Sequence, residues 1–108
     1  MILREKDRQN LIRIFSGSKL PIIVWAYGSR VNGSAHEGSD LDLTARSPDL
    51  SLIPFDAMND LCDKIRDSNI PILVELRDWA RLPESFKKNI EHQYEVLYDY
   101  STNYGEEI

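Results

Sequence analysis

Apolar residues recur along this chain in two rhythms, and the changes of rhythm mark out its elements. Residues 3–16 are charged, with Leu11, Ile14 and Phe15 on one helical face, which predicts a helix ending near Gly17. Pro21-Ile22-Ile23-Val24-Trp25-Ala26-Tyr27 is a short β-rich run stopped by Gly28, the pattern of a buried strand. Residues 29–39 hold Gly33, Gly38 and three serines, leaving room for one short helix between turns. From Asp40 to Arg46 polar and apolar positions alternate with a period of two, as in a strand with one buried face.

Met58, Leu61, Cys62 and Ile65 fall at i, i+3, i+4 and i+7, predicting an amphipathic helix over Pro54–Ser68 with Pro54 in its first turn. Cys62 lies on the apolar stripe and reads as a small core residue, while the acidic residues from Asp56 to Asp67 read as the wet side. Ile70–Leu76 reads as a further strand, with Pro71 among its first residues. Pro83 opens a helix to about Gln93, with Phe86 and Ile90 four apart. Tyr98 to Ile108 are polar and acidic and are expected to fray. The order helix, strand, short helix, strand, helix, strand, helix implies an α/β (α+β) fold. It is read as one domain over residues 1–108, with about 99–108 as a frayed tail.

The chain's 108 residues are enough for one hydrophobic core. Thirteen Lys+Arg against 18 Asp+Glu give a net charge of −5. A face that neutralises nucleic-acid phosphates, or a polybasic membrane anchor, needs the opposite balance, so neither partner is expected. One cysteine allows neither an internal disulfide nor a Cys-based zinc site. The N-terminus is charged where a signal peptide needs an apolar run, and the apolar stretch Leu20–Tyr27 is far short of the ~20 residues that span a bilayer. The expectation is a cytoplasmic protein.

The informative segment runs from Tyr27 to Leu43. Gly28 ends a strand, and a residue without Cβ lets a phosphate approach the backbone closely. Ser29 opens a helical turn whose first N–H groups and hydroxyl suit an anion. Asp40 and Asp42 sit two apart on a strand, so both carboxylates project from one face while Leu41 and Leu43 enter the core. Such carboxylates repel unless a cation lies between them, and hard oxygen donors favour Mg²⁺ or Mn²⁺ over zinc. A phosphate cradle beside a divalent-metal pair is the minimum equipment for moving a nucleotidyl or phosphoryl group.

Gly28-Ser29, ten residues, then Asp40-x-Asp42 resembles the signature of the DNA polymerase β-like nucleotidyltransferase superfamily, and the brevity of the chain resembles its minimal nucleotidyltransferases. Ile72-Leu73-Val74-Glu75-Leu76-Arg77-Asp78-Trp79 is similar to the strand that carries that family's third carboxylate, and Leu82-Pro83-Glu84-Ser85-Phe86 with Ile90 to its closing helix. The resemblance implies a palm-type fold, a small mixed sheet with helices mainly on one face. It further implies that Gly28 and Ser29 hold the β/γ-phosphates of a nucleoside triphosphate, with Arg30 and Ser39 in the same nucleotide-binding set. Asp40, Asp42 and Glu75 become the catalytic and metal-binding residues, holding two Mg²⁺ or Mn²⁺ ions. Glu75 departs from the usual aspartate, and a carboxylate displaced by about an ångström can cost ~100-fold in rate. Asp78, three positions along the strand, points to the other face.

By the same resemblance the activity is transfer of AMP from ATP to a hydroxyl of a partner, a small helical HEPN-type toxin that the modification silences. The Glu75 departure keeps a second reading open, a weak or inactive binding module that neutralises its partner by contact. A nucleotidyltransferase acting on a small molecule is a third, and homo-oligomerisation is open. Asp40-Leu41-Asp42-Leu43-Thr44 also matches the start of haloacid dehalogenase-like phosphatases, but His36-Glu37-Gly38-Ser39 replaces the apolar strand these need before the first aspartate. An EF-hand loop fails because Ala45 stands where glycine is required and Ser51 where the bidentate glutamate belongs. Gly33 and Gly38 read as turn glycines or as aids to nucleotide entry. Arg30 reads as an exposed helix arginine before a phosphate ligand, and Arg77 as a partner of Glu75 or a substrate contact. His36 and His92 read as surface residues, and Trp25 and Trp79 as core anchors.

Overall fold

The computed structural model describes residues 1–35 and 38–102. Helix α1 (Glu5–Ser18) leads into strand β1 (Ile23–Tyr27), the single-turn helix α2 (Ser29–Asn32) and strand β2 (Leu41–Arg46). Helix α3 (Phe55–Arg66), strand β3 (Val74–Asp78), a 3-10 turn (Trp79–Arg81), helix α4 (Glu84–His92) and strand β4 (Glu95–Asp99) complete the fold. The sheet order is β3-β2-β1-β4. β1 runs antiparallel to β2 and to β4, and β2 runs parallel to β3. This mixed four-stranded sheet is of the kind the family resemblance implies.

Period-two alternation sorts the sheet's side chains into two layers. Val24 and Ala26 of β1 and Leu41, Leu43 and Ala45 of β2 join Leu11 and Phe15 of α1 and Met58, Leu61 and Ile65 of α3 in the main core. Both long helices thus cover one face. On the other, Trp25, Tyr27, Trp79 and Ile90 form a smaller cluster with Leu82 and Phe86, so α4 shields only part of that face. Trp25 and Trp79 meet edge-on at 5.3 Å, with the Arg46 guanidinium 3.8 Å from the Trp25 ring centre. Cys62 is half-buried at the margin of its stripe. No helix among the described residues is long and apolar enough to cross a membrane.

Two expectations change. The third strand starts at Val74, paired with Leu41, with the Leu73 carbonyl accepting from the Leu41 N–H at 2.9 Å just before it; Pro71, which has no N–H to give a ladder, stays outside the strand. Tyr98 and Asp99 do not fray: they lie in β4, and Leu97 and Tyr98 are both buried. A register irregularity between Val24 and Trp25, where β1 meets β4, turns two consecutive residues inward. The Tyr100 N–H then donates to the Ile22 carbonyl at 3.1 Å. Of the expected tail, 103–108 lies outside the described residues, as does His36.

Candidate active site

The site forms where β1 ends and β2 begins. Tyr27, the last residue of β1, pairs with Asp42, and the chain then turns at Gly28 with φ 82° and ψ −156°, a region open essentially to glycine alone. A Cβ at position 28 would lie 2.7 Å from Asp42 Oδ2. The bare glycine therefore lets the backbone turn and the Asp42 carboxylate share one space. The Gly28 carbonyl accepts from the N–H groups of Val31 and Asn32, each at 3.0 Å, and Ser29 stands at the first position of the resulting turn.

Parallel pairing sets Asp42 opposite Glu75, so the two carboxylates share a sheet face. Between them reaches Arg77. Its Nη2 donates to Glu75 Oε2 at 3.1 Å, its Nη1 donates to the Tyr27 hydroxyl at 3.3 Å, and Nη1 lies 4.0 Å from Asp42 Oδ1. Burial pushes the Asp42 carboxyl up from its ordinary range, and the Glu75 and Asp40 charges add to this against the opposing pull of Arg77. Burial likewise raises the Tyr27 phenol, with Arg77 acting in the opposite sense. Asp40 is exposed, one residue before β2. Among the described residues no three acidic, histidine or cysteine side chains stand gathered as a finished metal cluster. Asp42, Glu75 and Asp40 nevertheless offer only hard oxygen donors, and burial first, then the neighbouring carboxylates, weigh against the Asp42 charge, a cost that a bound cation would offset. This donor set fits Mg²⁺ or Mn²⁺.

Arg30 departs from its expected exposure. Its side chain is buried, with Nε donating to the Ser39 carbonyl at 2.9 Å and Nη1 to the Ile2 carbonyl at 2.7 Å. It thereby braces the N-terminal segment against the loop leading to Asp40. Gly33 adopts φ 89° at the end of α2, with nothing within 4 Å of the place a Cβ would take, and Gly38 is exposed. Asp78 is 5% exposed and turned away from Glu75. It accepts from the N–H groups of Ile53 at 2.9 Å and Ala80 at 3.1 Å, and from Arg81, so its work is structural.

A cleft of about 430 Å³ opens beside Gly28 and Asp42, walled by Tyr27, Asn32, Phe86, Asn89, Ile90, His92 and Gln93. Sequence reasoning missed Tyr27, Asn89 and Gln93. The last two share the stripe of Phe86 and Ile90 at i, i+3, i+4 and i+7, a spacing visible in the sequence. What the spacing does not say is that the stripe faces Asp42.

The profile of the Polymerase beta, Nucleotidyltransferase family matches residues 9–103. Over 74 residues the chain is 40% identical to the probable protein adenylyltransferase MntA of Haemophilus influenzae, an alignment covering 68% of this chain and 63% of that relative's length. A chain from a crystal structure of a toxin-antitoxin with AMP-PNP superposes with a TM-score of 0.65 at 18% identity, covering 87% of this chain and 74% of the other. The strand order, the glycine turn packed on Asp42 and a profile match running from α1 to beyond β4 agree: the chain belongs to the Polymerase beta nucleotidyltransferase family.

Proposed function

We propose that this protein is a divalent-metal-dependent adenylyltransferase that moves AMP from ATP to a hydroxyl of a partner protein. The observation that carries the reading is the meeting of Asp42, Glu75 and the Gly28 turn at one end of the sheet, beside an open cleft. The 40% identity to a probable protein adenylyltransferase supports the choice of group transferred and of a protein as acceptor.

In this reading Gly28 and Ser29 hold the β/γ-phosphates, while Asp40, Asp42 and Glu75 hold Mg²⁺. Bound there, the ions neutralise phosphate charge and align the reacting oxygens. The acceptor hydroxyl oxygen bonds to the α-phosphorus, the bond to the β-phosphate oxygen breaks, and pyrophosphate leaves. The hydroxyl proton passes to Glu75. Arg30 keeps the Ser39–Asp40 loop in place, and Phe86 and Ile90 give the cleft an apolar wall against which a nucleoside can lie. Dependence on ATP makes the cytoplasm the proposed location.

The proposed acceptor is a tyrosine on a small helical HEPN-type toxin. Support comes from the sequence motifs and from the fold shared with a chain of a toxin-antitoxin structure. The Glu75–Arg77 ion pair favours a second reading, neutralisation by contact alone. One experiment separates them: the product of the adjacent gene is incubated with α-labelled ATP, Mg²⁺ and either wild type or Asp40→Ala/Asp42→Ala. Label on the partner with wild type only supports the transferase. Neutralisation by wild type and by the double variant alike, with no label on the partner from either, refutes it.

A further inference from the structure

Arg77 stands where the proposed metal site needs a cation. Glu75 and Arg77 are two apart on β3 and so share a face, and Arg77 lies opposite Thr44 in the β2 ladder. From there its guanidinium spans the sheet, bonded to Glu75 on its own strand and to the Tyr27 hydroxyl on β1, and passing 4.0 Å from Asp42 on β2. Both carboxylates that would ligate the ion thus already face one positive charge. At 42% exposed, the Arg77 side chain has room to move away.

We infer that Arg77 is a positioning residue, a built-in monovalent cation that holds Asp42 and Glu75 together and sets how tightly the site takes a divalent one. The inference rests on the metal-binding role proposed for those carboxylates. Without a cation the pair would repel and splay; with Arg77 present it stays in register. A divalent ion must then bind beside a like charge a few ångströms away, or displace it from Glu75. Arg77 would therefore trade metal affinity for order in the metal-free site.

The test is Mn²⁺ binding to the full chain, read from the spin-resonance signal of free Mn²⁺, with thermal melts to confirm folding. Wild type is compared with Arg77→Gln, Arg77→Lys and Asp42→Asn. Loss of one unit charge at this distance, in a partly solvated site, predicts roughly tenfold tighter binding for Arg77→Gln. Arg77→Lys keeps the charge but not the fork, and stays within about threefold of wild type. If only guanidinium geometry mattered, the lysine variant would behave like the glutamine one. Equal or weaker binding by Arg77→Gln overturns the inference while leaving the metal site standing, provided wild type binds and Asp42→Asn does not. Absence of Mn²⁺ binding in wild type overturns both. Should Arg77→Gln melt below the assay temperature, Arg77→Met, which keeps the apolar stem, answers the same question.

Discussion

Replacing Gly28 with alanine puts a methyl group into the space that the Asp42 carboxylate occupies. Two costs follow, and they can be measured apart. The first is conformational: φ 82° with ψ −156° is essentially closed to residues with a Cβ, and holding one there costs about 1–3 kcal/mol. For a domain of this size that lowers the melting temperature by roughly 5–20 °C. The second is local. The new carbon would stand 2.7 Å from Asp42 Oδ2, so the carboxylate must retreat by about half an ångström to one ångström. A displacement of that order costs up to ~100-fold in rate. Gly33→Ala supplies the control, because Gly33 also has a positive φ, 89°, but nothing lies within 4 Å of its added methyl. It should lower stability by about 1 kcal/mol and leave the site untouched. Both variants are assayed for AMP transfer at a temperature where melts show each to be folded. Gly28→Ala should lose roughly ten- to a hundredfold and Gly33→Ala less than about twofold. Equal losses in the two would refute the claim that Gly28 is glycine for the sake of Asp42.

Asp42→Asn tests the electrostatics. The folded-state pKa of Asp42 is raised, so its ionisation opposes folding, and the penalty grows as pH rises through the carboxylate range. Removing the charge should therefore stabilise the protein at pH 7 by up to about 1 kcal/mol, a gain that fades below about pH 4; destabilisation at pH 7 would mean that Arg77 attracts more than burial repels. Asp78→Ala should cost about 3–4 kcal/mol in denaturant melts, since it strands the N–H groups of Ile53 and Ala80 and the Arg81 charge. Metal binding by the folded variant should not change, in contrast to Glu75→Ala. Leu97→Ala should cost about 2–4 kcal/mol, as for any buried leucine, and a negligible loss would return β4 to the status of a frayed end.

The parts of this fold legible in the sequence are those where one physical signal acts alone. β1 is an unbroken apolar run stopped by Gly28, β2 alternates with a period of two from Asp40 onward, and Asp42 stands out as a charge among Leu41 and Leu43. β4 was hidden because its register shift buries Leu97 beside Tyr98, which erases the period of two. Arg30 reads as exposed, since a charged residue in a short helix has no local reason to be inside. It is 5% exposed because carbonyls of Ile2 and Ser39, distant in the chain, converge on it. Glu75 could be placed from strand alternation and family resemblance. That Arg77 would bridge it to Tyr27 depends on the β3-β2-β1 order, and strand order is a property of packing rather than of any one segment. Asn89 and Gln93 were out of reach for the same reason.

The central claim is that Asp42, Glu75 and the Gly28 turn form one nucleotide and metal site. Titration calorimetry with a non-hydrolysable ATP analogue, run with and without Mg²⁺, tests it most directly. Wild type and Asp78→Ala should bind only with Mg²⁺, Asp42→Asn should lose that binding, and Gly28→Ala should bind more weakly. Binding that is indifferent to Mg²⁺, or that survives intact in Asp42→Asn, would contradict it.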